Sequence, residues 1–127
     1  MPVKPWVTYR RAEPNRDYVA LLSELPVKRF RTLPEILLYT WRIGAQLRRS
    51  SGLIGYSLLA RPLQKKFWTL SVWEDNAALM KFVTQSPHSD VMTALKGKME
   101  ETRFVQWKLL GSEYPPGWRD ALKRGAP

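Results

Sequence analysis

Apolar and polar positions alternate through Lys66-Phe67-Trp68-Thr69-Leu70-Ser71-Val72-Trp73, and this period of two predicts a β-strand. Trp68, Leu70 and Val72 point one way, Phe67, Thr69, Ser71 and Trp73 the other, so large apolar groups lie on both sides. A strand with one wet face carries polar residues at alternate positions; this strand is therefore expected at the centre of its sheet, covered front and back. The chain's own helices supply one cover. With 127 residues, little chain remains for a second helical layer, and a second copy of the protein is the expected cover for the other face.

Around this strand the pattern places the remaining elements. The run Tyr18-Val19-Ala20-Leu21-Leu22-Ser23-Glu24-Leu25 predicts a first strand, ended by Pro26. Thr32-Leu33-Pro34-Glu35 has the spacing of a capping box and opens a helix, with Pro34 tolerated in the first turn. Leu33, Ile36, Leu37, Thr40, Ile43, Gly44 and Leu47 are assigned to its buried face, and Glu35, Arg42, Gln46 and Arg49 to its wet face. Ser50-Ser51-Gly52 stops it, residues 53–60 form a second strand, and a short link through Arg61-Pro62-Leu63-Gln64-Lys65 makes that strand the hairpin neighbour of the one beginning at Lys66. Asp75 is the expected N-cap of a second helix that buries Ala78, Leu79, Phe82 and Val83. Ser86-Pro87 interrupts that helix, and after the restart His88, Val91, Met92, Leu95 and Met99 share one stripe. Residues 102–110 read as an edge strand.

The order strand, helix, strand, strand, split helix, strand predicts an α+β, ferredoxin-like βαββαβ domain: a four-stranded antiparallel sheet with helices on one face. The domain spans residues 17–111, between an N-terminal arm of residues 1–16, where Pro2, Pro5 and Pro14 discourage regular structure, and a C-terminal tail of residues 112–127. The uncovered sheet face predicts a homodimer paired sheet to sheet.

Charge and composition narrow the function classes. Twenty-one Lys and Arg against 11 Asp and Glu give a net charge of +10. No recognition helix, zinc finger or RNA-stacking motif accompanies the basic residues, so nucleic acid is not the expected partner. The basic residues are expected to be mainly solvated surface, and a basic scaffold at an anionic membrane or nucleic acid, using Trp6, Tyr9, Arg10 and Arg11, is the alternative role for the charge. Without cysteine and with one histidine, the common zinc clusters are excluded, and no nucleophile elbow, phosphate loop or dinucleotide fingerprint is present. No apolar run approaches the ~20 residues of a membrane span, and a cytoplasmic location is the default expectation.

The strand and its sequel, Phe67-Trp68-Thr69-Leu70-Ser71-Val72-Trp73-Glu74-Asp75, then Ala78-Leu79, Phe82-Val83 and Ser86-Pro87-His88, resemble the dimeric α/β-barrel superfamily of antibiotic-biosynthesis and heme-degrading monooxygenases. With Gly52-Leu53-Ile54-Gly55-Tyr56 ahead of it, the chain is similar to a branch related to spheroidene monooxygenase, over roughly residues 17 to 110. The resemblance implies pairing as a dimeric α/β barrel and a mostly apolar pocket between sheet and helices for a small hydrophobic or aromatic compound. Trp73 matches a pocket-lining tryptophan of the heme-degrading relatives, whose iron-binding histidine falls near Met92 or Thr93 here. Cofactor-free oxygenation is the expected chemistry, with His88 as base, Tyr56 as hydrogen-bond donor, and Trp73, Trp41 and Met92 lining the ligand. Heme held by His88 is the alternative, and a non-catalytic binding or structural dimer is a third reading.

Overall fold

A computed structural model describes residues 3–85 and 88–125. The four predicted strands form at the positions where alternation places them: β2 (Asp17–Pro26), β3 (Leu53–Arg61), β4 (Lys66–Trp73) and β5 (Arg103–Leu110). A fifth strand corrects the four-stranded expectation. The arm contributes β1 (Val3–Thr8), which pairs antiparallel with β3 and completes the order β1-β3-β4-β2-β5, with β4 in the middle. Proline is tolerated in β1 because the strand lies at the edge and its register slips between Lys4 and Val7, so the missing N–H at Pro5 breaks no regular ladder.

Strand register sorts the side chains into two layers. Val19 lies opposite Trp73 and Leu21 opposite Ser71 on one face, while Ala20 opposes Val72 and Leu22 opposes Leu70 on the other. In β3 the register shifts between Leu53 and Gly55, and this bulge brings Tyr56 round to the side occupied by Leu53 and Trp73.

The first face carries α1 (Leu33–Arg48), α2 (Asn76–Thr84) and α3 (His88–Ala94). Asp75 caps α2 as predicted, its Oδ1 accepting from the Ala78 N–H at 2.8 Å. Thr32 does not cap α1. It has helical angles (φ −82°, ψ −14°) because a 3₁₀ turn, Phe30–Thr32, feeds into the helix, and Glu35 instead accepts from Lys98 Nζ at 2.6 and 2.7 Å. Gly52 ends the α1–β3 connection with φ +85°, where a Cβ would come within 2.5 Å of Ala78 Cβ, so glycine is required twice over. Ser86 and Pro87, the predicted interruption, lie outside the described residues; α2 ends at Thr84 and α3 starts at His88.

The second face overturns the reason for a sheet-to-sheet dimer. Tyr18, Ala20, Ile54, Val72 and Leu109 are buried there under Trp6, Ala12, Trp107 and Tyr114. Beyond them Leu22, Leu59, Trp68 and Leu70 pack against Trp118, Ala121 and Leu122 of a C-terminal helix, α4 (Trp118–Arg124). Hydrogen bonds fix this cover in place: Trp118 Nε1 donates to Ser57 Oγ at 3.0 Å, and the Tyr114 and Thr8 hydroxyls meet at 2.8 Å. Arm and tail, read from sequence as lying outside the domain, thus fill from within the chain the face assigned to a second copy. A few large aromatic side chains suffice because each buries a large apolar area with few residues.

Candidate functional site

The predicted site residues start from the end of β4. Trp73 is 1 % exposed and its Nε1 donates to Ser71 Oγ at 2.9 Å, two residues back on the same side of the strand. Its indole meets the Phe82 ring of α2 at 5.1 Å, and Phe82 in turn meets the His88 ring of α3 at 4.9 Å. Tyr56 is buried in the same cluster as Trp73 and Phe82, and its ring stacks on Tyr9 at 6.3 Å. Burial, followed by the neighbouring Tyr56, pushes the Tyr9 phenol above its ordinary pKa.

His88 ends this aromatic row half-buried, with Nδ1 3.2 Å from the carbonyl oxygen of Val83. A carbonyl only accepts, so Nδ1 carries the hydrogen and Nε2 keeps its lone pair. Burial holds the His88 pKa below its ordinary 6.5, and the bond to Val83 offsets this only in part. The ring is therefore neutral at pH 7 and able to take a proton at Nε2. Stability gained from burying the neutral ring is complete above pH 6.5 and drains away as pH falls through the lower folded value.

One residue in this arrangement escaped the sequence pattern. Gln46, assigned to the wet face of α1, is 6 % exposed. Its Nε2 donates to the Phe82 carbonyl at 3.1 Å and the Gln85 carbonyl at 3.4 Å, while its Oε1 accepts from the His88 N–H at 2.9 Å. One amide thereby serves the end of α2 and the start of α3, both of which leave backbone groups unpaired. The available signal was its position three residues after Ile43 and beside Leu47, on the border of the apolar stripe. Gln46→Leu keeps the volume and removes all three bonds, and is expected to cost about 1–3 kcal/mol in urea unfolding, because the His88 N–H loses its acceptor while the Phe82 and Gln85 carbonyls keep the N–H groups of Gln85 and Ser89.

Trp41 does not join the row. At about 100° per residue it stands opposite Ile36, Ile43 and Leu47, and it is 70 % exposed. Met92 lies one turn beyond His88 on the same side of α3 and is 40 % exposed, while Val91 and Leu95 take the buried places against Val27 and Ile36. The structure thus joins Trp73 and His88 in one aromatic row through Phe82, packs Tyr56 in the same core cluster as Trp73 and Phe82, sets Met92 beside His88, and leaves Trp41 on the far side of α1.

Two surface clefts lie elsewhere. One, of about 350 Å³, has a floor of Leu22, Trp68, Val105 and Leu122 and a rim that includes Arg61, Lys66 and Arg103; the other, of about 490 Å³, is lined by Lys28, Arg29, Arg31 and Lys98. Neither is lined by Tyr56, Trp73 or His88. Heme does not fit the residues around His88: Phe82 packs on the imidazole, and Trp73 and Tyr56 behind it are 1 % and 5 % exposed, so a porphyrin would have to displace core side chains. Among the described residues no group of His, Asp and Glu could hold a metal ion, and no helix is long and apolar enough to cross a membrane.

The model of a domain of unknown function, DUF3291, matches residues 40–126. No curated protein matches the chain in sequence. Among solved structures, a variant of SnoaB, a cofactor-independent oxygenase from Streptomyces nogalater, is similar with a TM-score of 0.59 and 20% identity, over 71% of this chain and 90% of that one. A candidate monooxygenase from Fusobacterium nucleatum aligns with a TM-score of 0.73 and 16% identity, over 85% of this chain and 49% of its own. A ferredoxin-fold protein from Listeria monocytogenes, related to antibiotic biosynthesis monooxygenases, aligns with a TM-score of 0.59 and 14% identity, over 71% of this chain and 54% of its own. These likenesses establish a ferredoxin-like α+β fold.

Proposed function

The chain belongs to the DUF3291 family, a domain of unknown function, and on that footing we propose that it is a cofactor-independent oxygenase of a small, electron-rich aromatic compound. The observation that carries this reading is the fixed tautomer of His88, with Nδ1–H committed to the Val83 carbonyl and Nε2 left basic. The fold it shares with a cofactor-independent oxygenase supports the same chemistry.

The substrate binds on the open side of the His88–Phe82 pair, with the flexible Met92 side chain as an apolar wall and Trp73 and Tyr56 as the rigid backing. Tyr56, 5 % exposed in the cluster with Trp73 and Phe82, supports this wall from behind rather than touching the substrate. His88 Nε2 takes a proton from a methylene flanked by aromatic rings. The carbanion gives its electrons to dioxygen and forms a C–O bond, yielding a hydroperoxide. Loss of the second hydrogen and cleavage of the O–O bond release water and leave a carbonyl, so that R2CH2 and O2 become R2CO and H2O with no other reductant.

Oxygen uptake by the purified protein with hydroxyanthrones tests this. The expected result is one carbonyl product per dioxygen, with His88→Ala lowering kcat by about 10²–10⁴-fold. Because the base must be unprotonated and its pKa is held below 6.5, the wild-type rate should be flat through pH 7 and fall only on the acid side of 6.5. Equal rates for wild type and His88→Ala would end the proposal, and binding without oxygen uptake would replace it with the ligand-binding reading.

A further inference from the structure

Charged and apolar residues that the proposed site does not use meet at one end of the molecule. Phe30, in the turn before α1, and Leu63, in the turn between β3 and β4, are 54 % and 89 % exposed. Lys65 joins these turns: its Nζ lies 5.1 Å from the centre of the Phe30 ring and donates to the Lys28 carbonyl at 3.2 Å. The Lys28 N–H donates to the Lys98 carbonyl at 3.0 Å, and the side chains of Lys28, Arg29, Arg31 and Lys98 line the cleft of about 490 Å³. Glu35, the carboxylate in its lining, is already held by Lys98 through both oxygens, so the cleft keeps an excess of positive charge.

From Glu35, α1 carries an apolar stripe away from the core. Leu37, Leu38 and Trp41 are 65 %, 47 % and 70 % exposed on the side opposite Ile36, Ile43 and Leu47. At about 100° per residue, Arg42 and Arg49 fall along the border of that stripe. A helix that shows Leu and Trp to solvent beside a row of arginine has the composition of one lying in a membrane interface. A protein partner would cover the stripe but would leave the cation-lined cleft unmatched, since charged residues are depleted from the cores of protein interfaces. Anionic headgroups over an acyl layer match both parts.

We propose that this end of the molecule docks on an anionic membrane surface, with Trp41, Leu37, Phe30 and Leu63 entering the headgroup boundary and the Arg31–Lys98 cleft taking a lipid phosphate. Of the membrane-contact residues offered by the sequence, which lie elsewhere, Trp6 packs edge-on against Tyr114, Tyr9 stacks on Tyr56, and Arg10 pairs with Glu74 at 3.4 Å.

Flotation of the full chain with phosphatidylcholine vesicles, with and without phosphatidylserine, tests the proposal. Binding is expected with phosphatidylserine only, weakening as NaCl is raised. Arg31→Gln should weaken it about fivefold, as one cation near a charged surface is worth. Trp41→Ala combined with Leu37→Ala should weaken it about tenfold or more while leaving the near-UV circular dichroism unchanged, since both side chains are exposed. Absence of phosphatidylserine-dependent flotation, or flotation indifferent to these substitutions, overturns the proposal. A concentration-dependent dimer in sedimentation that Trp41→Ala abolishes also overturns it, by assigning the stripe to a second copy.

Discussion

Trp73→Ala should lower the free energy of unfolding by about 3–5 kcal/mol, close to the whole stability of a weakly stable domain. The indole is 1 % exposed among Leu47, Leu53, Tyr56, Leu79 and Phe82, which come from both the sheet and the helices and cannot all close on the gap. Alanine also leaves Ser71 Oγ without its indole donor. Trp41→Ala is the matched control. Its indole is 70 % exposed, and the same deletion there should change stability by about 0.5 kcal/mol at most. Urea midpoints of the two variants measure the difference directly. Equal losses would mean that the row Trp73–Phe82–His88 is not a packed unit, and the proposed placement of His88 would fall with it.

The contrast between these tryptophans marks how far the sequence could be read. Alternation in β4 was legible because a period of two depends only on neighbours, and the Asp75 cap was legible because it needs three residues. Leu37 and Gln46 were misassigned for a different reason. On α1 the apolar residues occupy two opposite sides, so the helical period names a stripe without saying which one faces the sheet. Only packing against Val91 and Leu95 settles that Ile36 turns inward and Leu37 outward. Likewise, β1 depends on pairing with β3 across some fifty residues, which no local pattern encodes, and Pro5 argues against it until the edge position is known. The site divides in the same way. Trp73 and His88 follow from element ends, whereas the His88 tautomer depends on the bond to Val83, and the α2–α3 junction on a side chain that reaches across from α1.

Ending the chain after Leu110 should have the largest effect of all. It removes Tyr114, Trp118, Ala121 and Leu122, the cover over Leu22, Leu59, Trp68, Leu70 and Tyr18. At about 1.5–3 kcal/mol for each large apolar side chain returned to water, the loss is on the order of 5 kcal/mol before the newly bared sheet is counted. The remaining five-stranded unit, with only Trp6, Ala12 and Trp107 left over that face, would then bare much of the apolar sheet surface that its strand pattern describes. It should either unfold or pair with another copy through that face, and analytical ultracentrifugation distinguishes these from the full chain at the same concentrations. The family model runs through residue 126 and so includes α4 within the stretch it matches. A truncated chain that stays monomeric and as stable as the full one would show that α4 merely rests on the sheet. A truncated chain that associates would identify α4 as occupying, in cis, the surface that sheet-to-sheet pairing would otherwise use.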